Sequence, residues 1–121
     1  MSSIVLIIDD DFCNRLVLRE HLKGHGISTI EAENGEKAIA IFKEKSNIIN
    51  LILIDYKMPL LNGYETLLEL KKINNNIKSI LITGNYVSLM DKTELSLFDS
   101  VLEKPIDFKI LMNELEKYGI K

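Results

Sequence analysis

The chain has no tryptophan, one cysteine, two prolines and six glycines in 121 residues. With Cys13 alone, an internal disulfide is impossible, and the chain reads as a reduced, cytoplasmic protein. No apolar run approaches the roughly 20 residues of a membrane span. The longest, Ile4–Ile8, has five, so membrane insertion is not expected. Met1-Ser2-Ser3 leads straight into that run without a basic region, so no secretory signal is expected. Neither sign of charge dominates. The 15 basic and 18 acidic residues leave a net charge of −3, which gives no general attraction to nucleic acid or an anionic membrane. What the chain does have is apolar residues, 46% of the total, enough for a real core. The length fits one domain over residues 1–121.

Strand and helix signals alternate five times. Ile4–Ile8 is an unbroken apolar run, as expected of a strand covered on both faces. Phe12–Lys23 follows as a helix with Phe12, Leu16, Arg19 and Leu22 at helical spacing, stopped by Gly24 and Gly26. Ile27–Glu31 alternates like a more exposed strand. Asn34-Gly35 is a turn before a helix over Glu36–Lys45, with Ala38, Ile39, Ile41 and Phe42 as its apolar face. Ile48-Ile49 and Leu51–Ile54 make a third strand. Pro59 and Asn62-Gly63 mark a loop. Tyr64–Ile73 is helical, with Leu67, Leu68 and Leu70 turned inward. Ile77–Thr83 is a strand, Gly84-Asn85 a loop, Ser88–Phe98 a helix with Leu89 among its apolar points, and Ser100–Leu102 a short fifth strand. Asp107 caps a last helix to about Tyr118, closed by Gly119. This (βα)5 pattern predicts a parallel sheet with helices on both faces. The natural topology is flavodoxin-like, in strand order 2-1-3-4-5, with the ends of strands 1 and 3 side by side at the switch point.

Four of the predicted strands run into polar residues suited to phosphate chemistry. Strand 1 ends in Asp9-Asp10-Asp11, strand 3 in Asp55 and strand 4 in Thr83, while Lys104-Pro105 follows strand 5 after Glu103. A lone acidic pair after a strand is more often a helix cap in a solvated turn. A further carboxylate on the neighbouring strand end makes that reading insufficient. Two such charges about 4 Å apart repel by roughly 4 kcal/mol at an effective dielectric near 20. A hard cation such as Mg²⁺, held by carboxylates, relieves this. Asp55 is then the best nucleophile for a phosphoryl group. Thr83 offers a hydrogen bond to a phosphoryl oxygen and Lys104 a compensating charge. His21 and His25 read as surface residues, and Cys13 as packed at the start of its helix.

These residues resemble the response-regulator receiver domains of two-component signalling, over nearly the whole chain. The resemblance is carried by IVLIIDDD (Ile4–Asp11), LILIDYKMPLLNGYE (Leu51–Glu65), ILITG (Ile80–Gly84) and LEKPID (Leu102–Asp107). It implies that Asp55 is the phospho-acceptor and takes its phosphoryl group from the phosphohistidine of a histidine kinase or histidine phosphotransfer protein. It implies Mg²⁺ or Mn²⁺ held by Asp10 directly, by Asp9 mainly through water, by Asp55 and by the carbonyl of Lys57. Asp11 falls where the family varies and is left out of the site. Thr83 and Lys104 are the implied phosphoryl contacts, with a cis bond between Lys104 and Pro105. Lys57 and Asn85 occupy positions that tune phosphoryl lifetime in the family.

Two departures stand out. Val101 occupies a position where the family often has Tyr or Phe, and Leu97-Phe98 stands where a small Ala-Gly pair is frequent. Asn14-Arg15 and Asn34-Gly35 resemble receivers attached to hybrid sensor kinases. Only Gly119-Ile120-Lys121 follows the last helix, so no output domain is expected, and both a stand-alone receiver and a piece of a longer chain stay open. Two other readings compete. A haloacid-dehalogenase-like phosphatase would use Asp9 and Asp11 as an Asp-x-Asp pair but leaves Asp55-x-x-Met58-Pro59 unexplained. A receiver-like binding module would work without phosphorylation. An FMN site is disfavoured because three aspartates would repel the phosphate.

Overall fold

The computed structural model describes residues 3–84 and 90–121. It contains β1 (Ile4–Ile8), α1 (Phe12–Gly24), β2 (Ser28–Ala32), α2 (Gly35–Lys45), β3 (Leu51–Ile54), α3 (Gly63–Ile73), β4 (Lys78–Thr83), α4 (Lys92–Ser96), β5 (Ser100–Glu103) and α5 (Phe108–Lys117). The strands form one parallel sheet in the order β2-β1-β3-β4-β5, as expected from the alternation of elements.

Side-chain alternation divides the core into two layers. Leu6, Ile8, Ile52, Ile54 and Leu81 point to one face, where Ala38 and Phe42 of α2 and Leu67 and Leu70 of α3 cover them, with Leu95 of α4 against the same layer. Val5, Ile7, Leu51, Leu53, Ile80 and Ile82 point to the other, under Leu18 and Leu22 of α1 and Leu111 and Leu115 of α5. Burial on both faces is why β1 and β3 read as unbroken apolar runs. The helices start where a polar side chain satisfies free backbone N–H groups. Asp11, Asn34, Asn62, Asp91 and Asp107 each do so, and Asn62 with Glu65 forms a reciprocal capping box.

Several local expectations are corrected. Ile48-Ile49 is not strand. Ile48 lies in a turn, and Asn50 bonds through both its backbone N–H and its side-chain oxygen to Ile4, so pairing begins at Leu51. β2 sits one residue later than expected, and β5 extends to Glu103. Phe12 is exposed because it stands six residues before Leu18, about a third of a turn off the buried face. Leu68 is exposed for the same reason of phase, and Thr66 takes the inward position. Cys13 is exposed rather than packed. His21 is half-buried, stacked on Phe108 with ring centroids 4.1 Å apart, whereas His25 is exposed as expected. α4 begins only after the Asp91 cap and ends at Ser96, not Phe98. Asn85, Ser88 and Leu89 lie outside the described residues.

Candidate active site at the strand ends

Register brings the polar strand ends together. Ile8 of β1 pairs with Ile54 of β3, so Asp9 and Asp55 leave the sheet side by side. Thr83 of β4 pairs with Glu103 of β5, which puts Lys104 one step further on, its backbone N–H donating to the Thr83 carbonyl at 2.8 Å. The backbone N–H of Asp9 donates to Ala32 and that of Asp55 to Ile8, so both residues are still anchored to the ladder.

Asp9, Asp10 and Asp55 offer carboxylate oxygens that all lie within 4.8 Å of one another. Asp9 and Asp55 are buried and Asp10 is exposed. Lys104 Nζ donates to Asp55 Oδ2 at 3.1 Å and to Asp9 Oδ2 at 3.5 Å. One ammonium thus serves two buried carboxylates. Asp9 also accepts from the backbone N–H of Asp11 at 2.9 Å and from the Asn14 side-chain amide at 3.4 Å. Even so, burial holds its carboxyl above the ordinary 3.8, against the lowering effects of Asp11, Lys104 and Asn14. The Asp55 carboxyl is raised by burial and then by the charge of Asp9, which together outweigh Lys104. Burial lowers the affinity of Lys104 for its proton, but the two carboxylates reverse this, and its net shift is upward.

This is an all-oxygen, hard-donor cluster short of positive charge, and its chemistry fits a divalent cation such as Mg²⁺. Lys57, with Met58 and Pro59, lines the same groove beside Asp10 and Asp55. Thr83 is fully buried, and its hydroxyl has no hydrogen-bond partner among the described residues. An unpaired buried hydroxyl at the end of β4, the strand next to β3, has unused capacity for an incoming oxygen. The Lys104–Pro105 peptide is cis, as the resemblance implied.

Asp11 does not join the cluster. Its side chain accepts from the backbone N–H groups of Cys13 and Asn14 at 2.8 and 3.2 Å and caps α1. The Asp9-x-Asp11 pair of a haloacid-dehalogenase-like site is therefore not assembled. Gly63 explains the spacing after Asp55. Its N–H donates to the Tyr56 carbonyl at 2.7 Å, and a Cβ there would collide with the Asp55 carbonyl oxygen and the Tyr56 Cα. α3 can start this close to the end of β3 only with glycine at that point.

Sequence reasoning missed three contacts. Asn14 reaches Asp9, Arg15 holds the Asp9 carbonyl, and the Tyr56 hydroxyl donates to Glu94 of α4 at 3.0 Å. For the first two, the offset from the Asp11 cap was an available signal, since residues three and four beyond a cap face back over it. The third depends on how α4 packs.

A family model described as response regulator receiver domain matches residues 5–116. The sporulation initiation phosphotransferase F of Bacillus subtilis is 32% identical over 121 residues, covering 98% of this chain and 94% of that protein. The autoinducer 1 sensor kinase/phosphatase LuxN of Vibrio harveyi is 31% identical over 114 residues, 94% of this chain but only 13% of that protein's length. Among solved structures, a response regulator receiver domain protein from Clostridium thermocellum superposes with a TM-score of 0.88 at 26% identity, covering 96% of this chain and 93% of the other. The response regulator protein TrrA of Thermotoga maritima, determined in complex with Mg²⁺-BeF, gives 0.83 at 29% identity, covering 96% of this chain and 98% of the other.

Proposed function

This chain belongs to the response regulator receiver domain family, and from that premise we propose that Asp55 accepts a phosphoryl group in a reaction assembled by Asp9, Asp10, Lys57, Thr83 and Lys104. The chain is a phospho-accepting signalling domain with the five-stranded architecture of the family. Asp55 Oδ attacks the phosphorus of a phosphohistidine on a histidine kinase or histidine phosphotransfer protein. The N–P bond breaks as the O–P bond forms, and the electron pair returns to the imidazole nitrogen. Asp9, Asp10, Asp55 and the Lys57 carbonyl would hold Mg²⁺ or Mn²⁺. When bound, the cation neutralises the charge between an anionic nucleophile and an anionic donor.

The remaining roles fall to this chain's own side chains. Lys104, already in contact with Asp55, turns to the phosphoryl oxygens once that carboxylate is esterified. The Thr83 hydroxyl donates to one of those oxygens and gains the partner it lacks at rest. Positioning and charge stabilisation supply most of the catalysis of phosphoryl transfer, so the domain promotes its own phosphorylation and dephosphorylation without acting on a separate substrate. Residues 1–121 act as one such domain, and the reduced Cys13 and the absence among the described residues of a helix able to cross a membrane favour a cytoplasmic setting.

The observation that carries this reading is the pairing of Asp9 and Asp55 around a single ammonium, that of Lys104. Incubation with acetyl phosphate and Mg²⁺, followed by intact-mass measurement, is expected to show one added phosphoryl group, lost in Asp55→Asn. No mass gain in the wild type, or an equal gain in Asp55→Asn, would refute it.

A further inference from the structure

The acidic cluster needs its two adjacent aspartates to face the same point, yet consecutive side chains on extended backbone point in opposite directions. Asp9 is buried and Asp10 is exposed, but their oxygens lie within 4.8 Å of each other and of Asp55. Something must set the turn of the peptide that joins them. That peptide is planar, so fixing its carbonyl fixes the atoms from the Cα of Asp9 to the Cα of Asp10.

Arg15 does this. Its Nη1 donates to the Asp9 carbonyl oxygen at 2.7 Å, the shortest of the side-chain contacts made by this loop, while its Nε donates to Glu31 Oε1 at 3.1 Å. Arg19, one turn along α1, donates to the other oxygen of Glu31 at 2.8 Å. Glu31 lies on β2 directly opposite Ile7, two residues before Asp9. The Arg15 side chain is 12% exposed and that of Glu31 23%, so this is not a solvated surface pair. On its other side, the Asp9 backbone N–H is held by Ala32, the neighbour of Glu31. The Asp9 carboxylate takes its compensating contacts from Asp11, Lys104 and Asn14, not from Arg15. Arg15 therefore acts on the backbone rather than on the carboxylate.

We propose that Arg15, oriented by Glu31 and Arg19, is a positioning residue that sets the peptide plane between Asp9 and Asp10 and so directs both carboxylates at one cation. This rests on the metal-binding role proposed above. It requires the fork of a guanidinium, which can hold a carbonyl and a carboxylate at once in fixed geometry. An ammonium supplies the same charge without that geometry.

The test compares wild type, Arg15→Lys, Arg15→Gln and Arg19→Ala by Mg²⁺ titration, followed through the backbone amide resonances of Asp10 and Asp55. Amide hydrogen exchange at Asp10 and Asp11 in EDTA is measured in parallel. Arg15→Lys and Arg15→Gln are both expected to weaken Mg²⁺ binding by about 10-fold, the lower end of the usual cost of losing an outer contact to a metal site. Both are also expected to speed exchange at Asp10 and Asp11 without metal. Arg19→Ala, whose side chain is not among the contacts of the acidic cluster, should give a smaller loss in the same direction, and decides the matter if the Arg15 variants fold poorly. Wild-type affinity and wild-type exchange in Arg15→Lys would overturn the proposal, because charge alone would then suffice. Failure of the wild type to bind Mg²⁺ would instead sink the metal-binding role, and the metal-free exchange would still decide whether Arg15 orders the loop.

Discussion

Replacing Asp55 by asparagine is expected to stabilise the metal-free protein while removing its ability to accept a phosphoryl group. Asp55 and Asp9 are buried with oxygens no more than 4.8 Å apart, and Asp10 adds a third oxygen at the same range. At an effective dielectric near 20, each such pair repels by about 3.5 kcal/mol. The Lys104 contact at 3.1 Å returns about 5 kcal/mol on the same scale. An asparagine oxygen can still accept from Lys104, which also keeps Asp9. The exposure of Asp10 screens its share of the repulsion, but neutralising Asp55 also removes the cost of burying its charge, the largest cause of its raised carboxyl, so the net relief is about 1–2 kcal/mol. For a chain of this length that is a gain in Tm of about 4–8 °C.

The sign with pH follows from the raised carboxyls. Asp9 and Asp55 both sit above the ordinary 3.8 in the folded protein. Their contribution to stability is fully present below 3.8 and is lost as pH rises through the raised folded values. The advantage of Asp55→Asn should therefore be absent in acid and open as the pH climbs towards neutrality. Saturating Mg²⁺ should close it from the other side, since a cation at 100 times its Kd stabilises the wild type by about 2.7 kcal/mol. The assay is thermal unfolding of both proteins in EDTA and in Mg²⁺, at acid and neutral pH. An Asp55→Asn protein no more stable than wild type at neutral pH in EDTA, or an advantage that persists in acid, would refute the reasoning. In the first case the attraction of Lys104 outweighs the repulsion among the carboxylates; in the second the gain is not electrostatic.

Other residues give sharper, smaller tests. Thr83→Val removes a buried hydroxyl that lacks a partner among the described residues and should raise stability in urea by about 1 kcal/mol, while weakening the response to a beryllofluoride phosphoryl mimic. Gly63→Ala forces a Cβ against the backbone of Asp55 and Tyr56; a loss of about 3 kcal/mol in urea unfolding is expected, with weaker Mg²⁺ binding because Asp55 is displaced. The Tyr56 phenol is pushed above its ordinary 10.0 by burial and then by the hydrogen bond and charge of Glu94. The Tyr56 phenol should therefore titrate late by absorbance, and that late step should vanish in Tyr56→Phe.

The parts of this molecule that were legible in the sequence are those written in continuous runs. β1, β3 and β4 are buried on both faces, so their apolar runs mark them plainly, and the polar residue after each run marks the edge of the sheet. The cluster of Asp9, Asp10, Asp55 and Lys104 followed from that edge. Helix phase was less legible. Phe12 and Leu68 are apolar at helical spacing yet exposed, because a cap fixes where each helix starts and tertiary packing fixes which side turns inward. Ile48-Ile49 has strand composition but lies outside the sheet, where Asn50 takes over the bonding to Ile4. The contacts of Arg15 with Glu31 and of Tyr56 with Glu94 were not legible at all. Each joins two elements whose relative placement no local pattern encodes. Val101, which stands where the resemblance led to an expectation of Tyr or Phe, is half-buried against the layer that also holds Leu95 of α4.

The solitary hydroxyl of Thr83 has a bearing on how such a protein can be redesigned. A procedure that ranks substitutions by folding energy alone would choose valine at position 83 and asparagine at position 55, since both relieve a cost in the resting state. On the roles proposed for Asp55 and Thr83, the product would be a tougher protein with the same strand order and no means of responding. If Asp55 and Thr83 act as proposed, these two costly groups are ones that a stabilisation campaign should hold constant.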